Sequence, residues 1–188
     1  ILAIEAMGGR SLVALGMGLG KTSVVLYYLK RNPSALPAIV VCPAGVKYHW
    51  EHEALSQIGL RASVLEGERP PQLGQLKTQG QLSIINYDIL PCWLDHLTAD
   101  NPRTVIIDEC QNIQNPEALR SQAVRWMCHH RPHVLALSGT PLLNRPIELY
   151  TALSIIRPDV FNSRWSYAAR FCVPRLTPRG WEFKGAVR

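Results

Sequence analysis

Long apolar runs are missing from this chain of 188 residues. No stretch approaches the roughly 18 consecutive apolar residues of a membrane-spanning helix, and no charged-then-apolar segment marks a signal peptide. Paired cysteines are missing too. The five present, Cys42, Cys92, Cys110, Cys128 and Cys172, are odd in number and form no C-x-x-C. Reduced thiols in an intracellular protein, with no membrane partner, are the expectation. Cys128, His129, His130 and His133 crowd together, but zinc ligands usually come as spaced pairs from two segments. The end of a surface helix is the simpler reading. Internal repeats and low-complexity runs are absent. So is an initiator Met: the chain opens in mid-pattern at Ile1 and ends at Arg188, which suggests a piece of a longer protein.

What is present suffices for one domain. Apolar residues make up 47% of the chain, too many for a disordered tail. The formal charge is +6, with fifteen Arg against five Lys. Arg excess suits phosphate, because guanidinium offers a planar fork of donors, although basic charge alone identifies no partner. The charge is uneven: residues 145–188 carry eight basic side chains against Glu148, Asp159 and Glu182.

Short, uniformly apolar runs at 11–15, 38–42, 62–65, 82–86, 104–108 and 134–138 have the character of strands buried on both faces. Amphipathic stretches at 21–31, 46–57, 89–97, 116–129 and 148–156 alternate with them. Strand then helix, repeated, predicts βαβ units and a three-layer α/β domain with a central, mainly parallel sheet. Pro33 and Pro37 close the first helix, 66–71 is a loop, and Pro116 suits a first helical turn. Residues 1–156 form the domain proper. Beyond them, 157–188 is a basic, aromatic extension with no firm pattern.

Three segments carry chemistry. Gly16-Met17-Gly18-Leu19-Gly20-Lys21-Thr22 follows a strand and opens a helix. Glycines there let successive N–H groups point at phosphate oxygens, and the helix N-terminus adds its positive end. Lys21 would reach the terminal phosphates and Thr22 would ligate Mg²⁺. The full phosphate-loop pattern asks for glycine where Leu15 stands, so the match is to its Gly-Lys-Thr end. The second segment is an apolar strand ending in Asp108-Glu109-Cys110-Gln111. Strand C-termini of a parallel sheet face the ligand crevice. Asp108 can hold Mg²⁺ opposite Thr22, while Glu109 accepts a proton from water, two jobs for two carboxylates. The third is Ser138-Gly139-Thr140-Pro141, whose small hydroxyls can hydrogen-bond toward the acids. Trp50 reads as a core residue.

Met17–Thr22, Asp108–Gln111 and Ser138–Pro141, in that order, resemble motifs I, II and III of superfamily 2, and their wording is similar to that of Swi/Snf-type DNA translocases. Val41-Cys42-Pro43 with Trp50 resembles motif Ia, and 84–90 resembles motif Ib. The stretch 145–150 resembles the family's Arg-Pro-x-Glu-Leu-Tyr, and Arg170-Phe171-Cys172 with Gly180-Trp181 and Gly185-Ala186 is similar to the annealing-helicase branch. The family's Asp-Glu before the Met is replaced by Leu15-Gly16.

The resemblance implies a RecA-like P-loop lobe using ATP and Mg²⁺. Its catalytic residues would be Lys21, Asp108 and Glu109. Gln111, Ser138, Gly139 and Thr140 would couple nucleotide state to grip on DNA. It implies double-stranded or branched DNA as partner, with Pro43, Lys47, Asn86 and Tyr87 near its phosphates, and a second RecA-like lobe beyond Arg188 that supplies arginine fingers. The chain alone would then have little activity. The extension 157–188 either lines DNA or packs on that second lobe. Other readings of the same residues are a strand-separating helicase, a restriction-enzyme motor subunit or a non-catalytic nucleotide-binding module.

Overall fold

The computed structural model describes residues 1–71, 81–140, 146–177 and 180–186. In chain order the elements are α1 (Leu2–Ala6), β1 (Arg10–Ala14), α2 (Lys21–Arg31), β2 (Ala38–Cys42), α3 (Lys47–Ile58), β3 (Ala62–Val64) and β4 (Leu82–Asn86). There follow α4 (Leu90–Ala99), β5 (Thr104–Ile107), α5 (Leu119–Cys128), β6 (His133–Ser138), α6 (Tyr150–Ile156), α7 (Arg164–Phe171), β7 (Cys172–Thr177) and β8 (Gly180–Ala186). Short 3₁₀ turns lie at Pro33–Ala35, Ala44–Val46, Cys110–Ile113 and Pro146–Leu149.

Six strands form one sheet in the order β1-β6-β5-β2-β4-β3, every pair parallel. Their uniform apolarity has the expected cause, since β2, β4 and β5 are buried at every position. Alternate residues feed two cores. Ile39, Val41, Val105, Ile107, Val134 and Ala136 join one cluster with α4 and α5 residues such as Trp93 and Met127. Val40, Ile106, Leu135 and Leu137 join the other with Val25, Leu26 and Leu29 of α2 and Trp50 of α3. Each such side chain contributes roughly 1.5–3 kcal/mol on burial. Parallel pairing also places all six strand C-termini on one edge. The loops at 15–20, 43–46, 87–89, 108–113 and 139–140 therefore share that edge.

Three sequence expectations need correction. The helix expected from Pro116 begins at Leu119, because Asn115 Oδ1 accepts the Glu117 N–H (3.1 Å) and folds 115–118 into a turn. The helix expected over 148–156 starts as a 3₁₀ turn and becomes α-helical only at Tyr150. The extension is structured: Ser163 caps α7 by accepting the Ser166 N–H (3.2 Å), and β7 and β8 pair antiparallel as a separate hairpin. Tyr167 and Cys172 pack there against Tyr150, Phe161 and Phe183. Helix α1 was not anticipated at all; its one buried residue, Ile4, reaches the α2 side of the sheet.

Candidate functional site

The site forms at the C-terminal edge from the loops after β1, β5 and β6. After β1, Gly18 and Gly20 take φ of 75° and 74°, the left-handed region that glycine enters without strain. Gly20 is the N-cap of α2, and no side chain caps that helix, so its first N–H groups point into the loop. Leu15 stands in the pattern's glycine position because its side chain is half-buried against the α2 core cluster. Lys21 turns its ammonium onto the loop's own carbonyls, Leu15 O at 3.3 Å and Gly16 O at 3.4 Å.

The acids lie at the end of β5. Asp108 is fixed at four atoms. Its N–H donates to Val41 O (2.8 Å), and its Oδ1 accepts the Glu109 N–H (3.0 Å). Its Oδ2 accepts the Trp50 indole N–H (2.8 Å), and its main-chain oxygen accepts the Tyr87 hydroxyl. Burial pushes the Asp108 carboxyl above its ordinary range, the Trp50 bond opposes this, the Glu109 charge adds to it, and Lys21 pulls it back. Glu109 adopts a left-handed φ of 50°, uncommon for a residue with a side chain and concentrated at functional sites.

A hydrogen-bonded chain runs onward from Glu109. Gln111 Nε2 donates to Glu109 Oε2 (2.7 Å), Ser138 Oγ donates to Gln111 Oε1 (2.9 Å), and the Thr140 N–H donates to Ser138 Oγ (3.1 Å). Sheet order explains the meeting. Strand β6 lies between β1 and β5, and Ser138 is in register with Ala14 of β1. Gly139 closes the gap to the phosphate loop, where an added Cβ would lie 3.0 Å from Met17 Cγ and 3.2 Å from Lys21 Nζ. All three sequence segments thus converge. Pro141 lies outside the described residues.

A family model described as the SNF2-related domain matches residues 5–182. The chain belongs to this family. As a SNF2-related domain it is 32% identical over 186 residues to the SWI/SNF-related matrix-associated actin-dependent regulator of chromatin subfamily A-like protein 1 of Xenopus laevis, covering 95% of this chain and 18% of that protein. It is 29% identical over 195 residues to the mouse DNA annealing helicase and endonuclease ZRANB3, covering 95% of this chain and 18% of that protein. Its fold matches the Sulfolobus solfataricus SWI2/SNF2 ATPase core in complex with dsDNA at TM-score 0.73 and 27% identity, over 90% of this chain and 36% of that one. The six-stranded parallel sheet is therefore the RecA-like architecture of that core.

Of the four residues expected near DNA phosphates, Lys47, Asn86 and Tyr87 are buried. Lys47 is 6% exposed, and its ammonium donates to Leu65 O (3.0 Å), with Glu66 3.8 Å away. Asn86 closes the fully buried β4, and Tyr87 is buried with its hydroxyl on Asp108. A β-strand's end and an inward helix face leave these groups little exposed surface. Pro43, half-exposed before the 3₁₀ turn at Ala44–Val46, is the one left at the surface. In exchange the fold reveals what sequence reading missed: Trp50 and Tyr87 hold Asp108. The signal was available for Trp50, since a buried indole N–H requires an acceptor.

The cysteines are free, and only Cys92 is exposed. Burial pushes the Cys42, Cys110 and Cys128 thiols up to about 12. Among the described residues no group of three or more His, Cys, Asp and Glu is arranged to hold a metal ion. No helix among the described residues is long and apolar enough to cross a membrane.

Proposed function

We propose that the chain is the ATP-binding lobe of a DNA-dependent ATPase that translocates on, or remodels, double-stranded or branched DNA. The observation that carries this reading is the convergence of an uncapped, glycine-turned helix start bearing Lys21 and Thr22 with a half-buried Asp108-Glu109 pair, joined through Ser138. The residues suit Mg²⁺: one hydroxyl and one carboxylate are hard oxygen donors, and Mg²⁺ characteristically takes one or two protein oxygens beside phosphates and water. When bound, Mg²⁺ would neutralise charge on the phosphate oxygens.

In this reading the amides of Gly16, Met17, Gly18, Leu19 and Gly20 cradle phosphates. Lys21 leaves the Leu15 and Gly16 carbonyls for the terminal phosphates, and Thr22 and Asp108 hold the metal. Glu109 orients a water and accepts its proton, with its hydrogen-bonded neighbour Gln111 fixing the carboxylate. Gln111, Ser138, Gly139 and Thr140 report nucleotide state, because a shift at any of them is felt at both Glu109 and Lys21. DNA contact falls to the exposed turn after Pro43, through backbone amides and phosphate rather than base edges, and so is sensitive to salt.

The chain spans 18% of the length of the frog and mouse relatives. Hydrolysis in this reading needs a second RecA-like lobe to complete the site, so the chain alone turns over slowly. The names of the relatives, a chromatin regulator and a DNA annealing helicase, favour duplex remodelling over strand separation. Substituting Glu109→Gln in the full-length protein tests the catalytic assignment. Duplex-stimulated ATP turnover should fall by about 10²–10⁴-fold with nucleotide binding retained. Unchanged turnover would refute Glu109 as the base, and a wild-type protein that binds nucleotide without any duplex-stimulated turnover would leave a non-catalytic nucleotide-binding module.

A further inference from the structure

Asp108 owes its orientation to a residue from a different element, helix α3. Trp50 sits on the inward face of α3 with Lys47 and Ala54 and is 1% exposed. Bulk alone could explain that position, but its single polar atom lies 2.8 Å from Asp108 Oδ2. The other carboxylate oxygen accepts the Glu109 N–H at 3.0 Å. Rotation of the carboxylate about its terminal torsion breaks one of these bonds. The main chain beneath it is held independently by Val41 O and the Tyr87 hydroxyl. Each carboxylate oxygen still has a lone pair to offer, so the bond to Trp50 orients the group without using it up.

We infer that Trp50 is a positioning residue for the metal carboxylate: its indole N–H fixes the rotation of Asp108 and thereby the strength with which Mg²⁺ is held beside a nucleotide. The inference rests on the nucleotide-site reading above. Outer partners that orient a ligating carboxylate typically contribute 10–100-fold in metal affinity. The assignment also gives α3 a function. That helix begins directly after the exposed turn at Ala44–Val46, so the surface-facing turn and the metal carboxylate are joined by one rigid element.

The test is Trp50→Phe, which keeps an aromatic ring in the core and removes the N–H. Binding of a fluorescent ADP is titrated with Mg²⁺ and again with chelator. The Mg²⁺-dependent gain in affinity should fall by about tenfold, while affinity in chelator stays within about twofold of the wild type. A gain equal to the wild type's, with only thermal stability lowered, would reduce Trp50 to core packing and overturn the inference. Lys21→Ala separates the two levels. If it weakens binding with and without Mg²⁺ while Trp50→Phe does nothing, the site stands and the role of Trp50 falls. If it too does nothing, or the wild type shows no Mg²⁺-dependent binding, the site reading itself falls and takes the inference with it. Should Trp50→Phe not fold, the wild-type Trp50 indole N–H resonance carries the test. A shift on binding Mg²⁺-ADP supports the role, and an unmoved resonance overturns it.

Discussion

At the end of β1 the chain leaves the sheet as a loop whose Met17 and Leu19 side chains are 78% and 66% exposed, and whose lysine, among the described residues, bonds to the loop's own carbonyls. At the end of β5 the corresponding turn is tied down: Asp108 is bonded at four atoms, and Glu109 heads a chain through Gln111 and Ser138 to Thr140. Both segments sit on the same edge of the same sheet. The difference is chemical. Phosphate binding needs N–H groups and a cation that are free to be taken up by a ligand, so that half is left with weak internal contacts. Metal and water positioning need oxygens held in one orientation before the reaction, because a carboxylate that reorients during it costs transition-state stabilisation. One half is open and the other is preorganised.

The comparison can be broken first on the open half. Lys21→Ala removes the one cation of the loop without disturbing a buried contact. Nucleotide affinity should drop by about 100-fold, the size of a charge-assisted bond, with the melting temperature unchanged. A large loss of stability instead would mean that Lys21 is a structural brace. On the preorganised half the order of effects reverses. Ser138→Ala leaves the half-buried Gln111 Oε1 and the Thr140 N–H without their partner, and polar groups partly stranded in this way cost about 1 kcal/mol, the low end of the range for buried ones. The melting temperature should fall by a few degrees, at roughly 2–4 °C per kcal/mol in a domain of this size, with a smaller effect on nucleotide binding. Unchanged stability would show that the chain from Glu109 to Thr140 is not held in solution.

Much of the frame was legible in the residues. Strands buried on both faces have no polar alternation, so runs such as Ala38–Cys42 and Leu82–Asn86 announce themselves and their boundaries coincide with the fold. Glycine, lysine and threonine after a strand carry their own geometry, and so do two acids after another. What escaped depends on tertiary partners. Residues 164–171 become a helix because Ser163 caps them and Tyr167 packs on Tyr150 and Phe161 (ring centroids 5.4 and 5.9 Å apart), none of which periodicity reveals. Lys47 looks like a surface cation by type, but its place on the inward face of α3 buries it. The bond from Trp50 to Asp108 joins residues 58 positions apart, and only the neighbouring of β2 and β5 brings them together.

Amide hydrogen exchange followed with and without Mg²⁺-ATP tests the contrast most directly. The account predicts that amides of residues 16–23 exchange quickly in the free protein and slow markedly on adding nucleotide, whereas Asp108 and Glu109, already bonded, are slow in both states. Fast exchange at Asp108 in the free protein, or no change at residues 16–23 when nucleotide is added, would contradict it.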